Sequence, residues 1–258
     1  MDLIQSRPFS LYLQLVSLTF RIKRDSFSFL KYVMITKNLK ILEDRISLKC
    51  CECNRNRSEI KLIAVSKTQP VEIIEEALLT GIKDFGENKA QELRDKSELL
   101  GADFHWHFIG HLQTNKVKYI ISSAEYIHSV DSIKLADDID KKARQINKVQ
   151  KILLEVKTSD EEAKHGLADY KEIFDTVKFC RQAENLDVTG LMTMAPFTED
   201  KLVIRSCFKK LKKIKDELNN SGFNLTELSM GMTNDYEIAI EEGATMLRIG
   251  TAIFGERK

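Results

Sequence analysis

The chain has little that would mark it as secreted, membrane-spanning or drawn to a charged polymer. Its 258 residues hold five cysteines, Cys50, Cys51, Cys53, Cys180 and Cys207, too few and too unevenly spaced for a disulfide framework at this length. A reducing, cytoplasmic compartment is expected. Cys50 and Cys53 form a C-x-x-C pair, but no second pair completes a tetrahedral set and no strand leads into it, so neither zinc nor redox chemistry is expected there. Charge of one sign is lacking too. Forty Lys and Arg face thirty-nine Asp and Glu, a net charge of +1, which leaves no global field for nucleic acid or an anionic membrane surface. With three prolines and no low-complexity tract, no internal domain boundary is expected after residue 34. The apolar run from Leu11 to Phe20 is about half of the roughly 20 residues that a membrane span needs.

In that run the basic residues Arg21, Lys23 and Arg24 follow the apolar stretch, and no small-residue cleavage site comes after it, which is unlike a secretory signal. Residues 1–33 are poor in acid and carry serines and arginines, as an organellar transit peptide does; alternatively Met34 is the true start, and this second explanation is preferred. We therefore expect 1–33 to be an unstructured extension, a targeting segment or a misread start, with 34–258 forming the body. Ile35 to Ser47 reads as an amphipathic helix with Leu39, Leu42, Ile46 and Leu48 along its apolar side.

What the chain does have is apolar content, 43% of its residues, ample for one sizeable core. From Ile60 onward, short apolar runs alternate with helical patterns, as parallel βαβ units do. The spacing predicts strands over 61–66, 83–86, 104–109, 126–130, 150–157, 187–193, 226–230 and 245–249. Helices are predicted over 71–79, 90–100, 115–122, 132–146, 168–184, 203–220 and 235–242. Gly81, Gly101, Gly222 and Gly243 stand where helices should stop. Eight such units point to a closed (β/α)8 barrel with an extra N-terminal helix; a doubly wound open sheet is the alternative.

In a barrel the residues just past the strands carry the chemistry. The run Leu62-Ile63-Ala64-Val65 reads as a strand buried on both faces, ended by Pro70, so Lys67 sits at its carboxyl end. A lysine that loses solvation there has a lowered pKa, and its neutral amine can form a Schiff base with a carbonyl. After the second strand comes Asn88; after the third, His111; after the sixth, Met194; after the seventh, Ser229 and Met230; the eighth ends on Arg248, Gly250 and Thr251. Small and hydroxyl residues that lead into a helix after the last two strands suit a phosphate, so Ser229, Gly250 and Thr251 are the candidate phosphate ligands.

These segments resemble a known family. Ala64-Val65-Ser66-Lys67-Thr68, Phe85-Gly86-Glu87-Asn88 with Gln91-Glu92, His107 to Lys116, Gly190 to Met194, Leu228 to Asp235 and Arg248 to Gly255 look like the YggS/PROSC pyridoxal 5′-phosphate (PLP) homeostasis proteins. The resemblance runs from about Met34 to Arg257; residues 1–33 have no counterpart. It implies an alanine-racemase-like barrel of PLP fold type III, PLP held as a Schiff base on Lys67, and Arg248 facing the pyridine nitrogen. It also implies lining roles for Asn88, His111, Met194 and Met230. One departure is Lys157, where the family usually has asparagine, which puts the lining after the fifth strand in doubt.

An arginine cannot release its proton, so Arg248 beside the ring nitrogen weakens the ring as an electron sink. Racemisation would need a second, opposed base. Alanine racemase supplies one as a tyrosine from an added β domain, and no such domain is expected in a sequence whose last residue, Lys258, follows the eighth strand. Tyr236, the nearest tyrosine to a site loop, begins a helix and is expected to pack. A non-catalytic PLP carrier that serves PLP-dependent apoenzymes as a cytoplasmic monomer is the preferred role. A small PLP-dependent amino-acid racemase is the alternative, and a PLP-independent scaffold a third. His105 and His107 share a strand face without an acidic or thiol partner spaced to complete a metal site, so no metal is expected. Lys164 is a candidate second amine for PLP or a solvated loop lysine. The lysines between Lys209 and Lys215 read as the wet face of an outer helix.

Overall fold

The structure is a computed structural model that describes residues 26–159 and 165–256. Eight strands, β1 (Lys61–Val65), β2 (Asp84–Glu87), β3 (His105–Phe108), β4 (Ala124–Val130), β5 (Gln150–Glu155), β6 (Leu186–Met192), β7 (Glu227–Ser229) and β8 (Met246–Ile249), follow one another in order. All neighbours are parallel and the sheet closes, with Ile63 of β1 opposite Arg248 of β8. The closed barrel is borne out and the open sheet is not. Each helical stretch covers the face between consecutive strands: α2 (Val71–Leu78), α3 (Ala90–Leu100), α4 (Val117–Ile120), α5 (Ile133–Arg144), α6 (Tyr170–Gln182), α7 (Lys201–Asn220) and α8 (Tyr236–Glu241). A last turn of helix, α9 (Thr251–Phe254), follows β8; four residues are too short for a periodic signal.

Local chemistry explains the boundaries. Asp169 and Asp200 accept from backbone N–H groups in the first turns of α6 and α7, and Ser132 does the same for α5, filling donors a helix start leaves open. The four stop glycines all take positive φ, 77–97°, as a left-handed helix stop requires.

The first helix, α1 (Ser26–Glu52), is longer than the pattern predicted and begins upstream of Met34. It packs across α2, α8 and α9, burying Ile35, Leu39, Leu42, Ile46 and Cys50 at helical spacing. Each fully buried aliphatic contributes roughly 1.5–3 kcal/mol of transfer free energy. Leu48, expected on that side, is 62% exposed; two residues beyond Ile46 a helix has turned away by more than half a circle. Polar ties finish the docking: Asn38 Nδ2 donates to Ile253 O at 3.0 Å and Arg57 grips both oxygens of Glu43 at 2.8 Å.

Inside the barrel, Ile63, Tyr126, Leu153, Met192 and Met246 form a small apolar cluster separate from the large core between strands and helices. Above and below it the inward positions turn polar, with His107, His128 and Ser229 wholly buried and Glu155 and Arg248 4% exposed. Buried polar groups cost free energy unless they are paired.

Candidate functional site

Lys67 lies just past β1, half-buried, in a turn closed by Gln69 N donating to Ser66 O at 2.9 Å. Thr68 next to it takes φ 66°, a left-handed conformation that costs a β-branched residue on the order of 1–3 kcal/mol. Neighbouring side chains impose it. Thr68 N donates to Glu92 Oε1 at 2.6 Å, and the ammonium of Lys96 reaches Ser66 O, Glu87 Oε1 and Glu92 Oε1 at 2.9, 2.8 and 2.7 Å. Ser66 Oγ adds a fifth tie, donating to Glu87 Oε1 at 2.6 Å. Burial pushes the Glu87 carboxyl above its ordinary pKa, against the pull of Lys96. Sequence reasoning quoted Glu87 and Glu92 but missed Lys96, the cation that binds them to the Lys67 turn; its signal was a lysine four residues after Glu92 on one helix face.

On β8, the strand paired with β1, Arg248 is held from two directions. Nη1 donates to Ser229 Oγ at 2.6 Å and Nη2 to Thr193 O at 2.9 Å. Burial lowers its pKa to about 10, with the carboxyls of Asp235 and Glu155 opposing, so it stays a cation at neutral pH. Gly231, whose O accepts from Arg248 N at 2.9 Å, has φ 95°, and a Cβ there would lie 2.6 Å from that of Ala239. The loop can follow this path only without a side chain.

The remaining predicted residues divide. Asn88 is half-buried, and its Oδ1 is buried without a hydrogen-bond partner among the described residues. Gly110 presses on Asn88, where a Cβ would come 2.2 Å from Asn88 O. Gly250 and Thr251 open α9 at the mouth, with Thr251 exposed, and Met194 is 37% exposed after β6. His111 is exposed, stacks on His165 at 3.8 Å between centroids, and holds Nδ1 3.5 Å from Asp131 Oδ2. Ser229 sits below the mouth with its oxygen engaged by Arg248 and His128, and the Met230 side chain belongs to the core between barrel and helices. Tyr236 is 6% exposed in that same core, as its position suggested. Lys164 lies outside the described residues, and Lys157 N is paired with Leu167 O at 2.9 Å.

Ligand atoms of His111, Asp131 and His165 lie within 4.8 Å of one another. The imidazole planes differ by 13°, so their in-plane lone pairs run side by side and do not converge on one ion. His105 and His107 both face Asp84 Oδ1, an acidic neighbour that the sequence did not reveal: His105 is exposed at 3.6 Å, while His107 is buried at 2.9 Å and also bonded to His128.

Glu155 at the end of β5 is a further titratable group that sequence reasoning missed. Burial, and secondarily the Asp131 carboxylate, push its pKa up to about 7, with Arg248 opposing. Its signal was a carboxylate inside the apolar run Ile152-Leu153-Leu154-Glu155-Val156, where a buried polar residue is the informative one.

The fold and these strand-end loops define a barrel of the alanine racemase N-terminal kind: the sequence matches the family described as "Alanine racemase, N-terminal domain" over residues 51–258. The alanine racemase of Clostridium difficile has the same fold, with TM-score 0.72 at 14% identity over 87% of this chain and 57% of that one. Within that class the chain belongs to the pyridoxal phosphate homeostasis proteins. It is 45% identical to the one from Aquifex aeolicus over 85% of this chain and 96% of that protein, and 40% identical to the one from Synechocystis over 77% and 92%. PipY of Synechococcus elongatus, solved with PLP bound, is 33% identical with TM-score 0.76, covering 86% of this chain and 100% of that one.

Proposed function

We propose that this protein binds pyridoxal 5′-phosphate reversibly, held covalently through the Lys67 amine, and stores and delivers it without a dedicated catalytic cycle. The residues present suit that group: an orphaned buried Oδ1 on Asn88, a rigidly held guanidinium on Arg248, and the Gly250–Thr251 backbone opening a helix for the phosphate. When bound, PLP supplies an aldehyde to the amine and, in enzymes, an electron sink for carbanions. The observation that carries the non-catalytic reading is Arg248, a permanent cation and donor where an electron sink would want an acid able to protonate the ring. His111 and Met194 line the mouth in this reading, Ser229 acts through Arg248, and Met230 contributes backbone only. The partners proposed are PLP and PLP-dependent apoenzymes, with a monomer in a reducing, cytoplasmic setting. Among the described residues no helix is long and apolar enough to cross a membrane.

Glu155 favours a second reading. A carboxyl with a pKa near neutrality at the mouth is suited to move a proton, as an amino-acid racemase must. One experiment separates the two. The protein is soaked in PLP, reduced with borohydride, and mapped by mass; then unreduced, loaded protein is incubated with L-amino acids in D2O. Label on Lys67 without Cα exchange supports the carrier. Cα exchange at ordinary enzymatic rates supports the racemase, and no label on any lysine sinks both.

A further inference from the structure

Five polar side chains cross the barrel interior in an unbroken line. At the mouth Arg248 Nη1 meets Ser229 Oγ at 2.6 Å, and Ser229 Oγ meets His128 Nδ1 at 2.8 Å. His128 Nε2 meets His107 Nδ1 at 2.9 Å, and His107 Nε2 meets Asp84 Oδ1 at 2.9 Å. Asp84 is the first residue of β2 and so lies at the floor, while Ser229 ends β7 near the mouth. The middle three residues have no solvent exposure.

With both rings neutral, the two ends decide the direction of every hydrogen in this line. A guanidinium only donates and a carboxylate only accepts. Arg248 therefore donates its N–H to Ser229 Oγ, and the Ser229 hydroxyl donates to His128 Nδ1. A neutral His128 then carries its hydrogen on Nε2 and donates to His107, which donates from its own Nε2 to Asp84. A second proton on either ring would set N–H against N–H at a buried contact, or leave the Ser229 hydroxyl without an acceptor. The burial that holds both histidines below their ordinary pKa acts in the same sense. Tyr126, whose ring stacks on His107 at 5.0 Å between centroids, Lys61, 3.3 Å from Asp84, and the titratable groups His105, Glu125 and Lys151 around the floor complete the surroundings.

We infer that His128 is a positioning residue for the ligand pocket: by accepting the Ser229 hydroxyl hydrogen it turns the serine oxygen into a fixed acceptor for Arg248, and the line from Arg248 to Asp84 has one proton polarity. Ser229 thus directs its hydrogen down the barrel, away from a phosphate at the mouth. The effect on PLP rests on the binding reading above; the polarity and the hold on Arg248 do not.

The test uses the full-length protein labelled with 15N in histidine and arginine. In the wild type, long-range 1H–15N spectra should show His107 and His128 neutral with the hydrogen on Nε2 from pH 6 to 8. Arg248 guanidinium signals should be resolved and protected from exchange. His128→Phe should average or broaden the Arg248 signals, and His128→Gln, whose amide oxygen can accept from Ser229, should restore them. Ser229→Ala should release Arg248 as His128→Phe does, which keeps the test decisive if the phenylalanine variant fails to fold. With PLP as probe, loss of one buried tie should raise Kd about tenfold in His128→Phe and less in His128→Gln. A hydrogen on Nδ1 or a charged ring in the wild type overturns the polarity. Unchanged Arg248 signals in both His128→Phe and Ser229→Ala overturn the positioning role. PLP uptake absent from wild type defeats the binding reading alone, because the arginine signals still decide the inference.

Discussion

Glu155→Gln offers a quantitative test of the barrel's buried electrostatics. In the folded chain the carboxyl is held up to about 7 from its ordinary 4.5, so folding costs nothing on its account below pH 4.5. The cost grows as pH rises from 4.5 to 7 and is constant above. At about 1.36 kcal/mol per pH unit the full cost comes to about 3.4 kcal/mol. His107 and His128 act oppositely. Held neutral by burial when folded, they take up protons on unfolding as pH falls through the ordinary histidine range, so acidification removes stability on their account. Between pH 6 and 5 the wild type should lose stability to the histidines and regain about 1.4 kcal/mol from Glu155. The Gln variant lacks the regain and should lose about 1.4 kcal/mol more than the wild type over the same interval. Urea unfolding of both proteins at pH 5, 6, 7 and 8 measures the difference, in which all shared groups cancel. The variant should gain on the wild type as pH rises and level off above 7. A difference constant to within about 0.5 kcal/mol across that range would refute the placement of Glu155 as a buried carboxyl.

Two further outcomes follow from packing. Lys96→Met leaves Glu87, whose side chain has no exposure, without its cation; it should cost about 3–5 kcal/mol at pH 7.5 by chemical denaturation. The cost should shrink at pH 5 as Glu87 takes up a proton, and a loss under about 1 kcal/mol at pH 7.5 would contradict the network around the Lys67 turn. Ile46→Ala, at a wholly buried position of α1, should cost about 2–5 kcal/mol, whereas Leu48→Ala two residues away should stay within about 0.5. Equal effects would mean that α1 docks by a different face.

The strands and most helices were legible because each is specified by its own run of residues: Leu62-Ile63-Ala64-Val65 needs burial on both sides, and Gly81, Gly101, Gly222 and Gly243 end helices by local backbone geometry. The failures are of two kinds. Leu48 was placed on the wrong side because a stretch of apolar residues too dense for one stripe leaves the docking face open until a partner surface chooses it. Lys96 and His128 went unread because their meaning lies in partners far along the chain, 30 residues to Ser66 and 101 to Ser229.

By itself the order of residues determined eight parallel units, the closed barrel they imply, an amine past the first strand and an arginine in the last. These follow from periodicity and strand-end position, which are local. Only the folded molecule decided that Ser229 serves Arg248 beneath the mouth, that the Lys67 turn is held by Lys96, and that Glu155 has a pKa near neutrality. Each depends on which distant polar groups close out water together, and burial of that kind exists only once the barrel has closed.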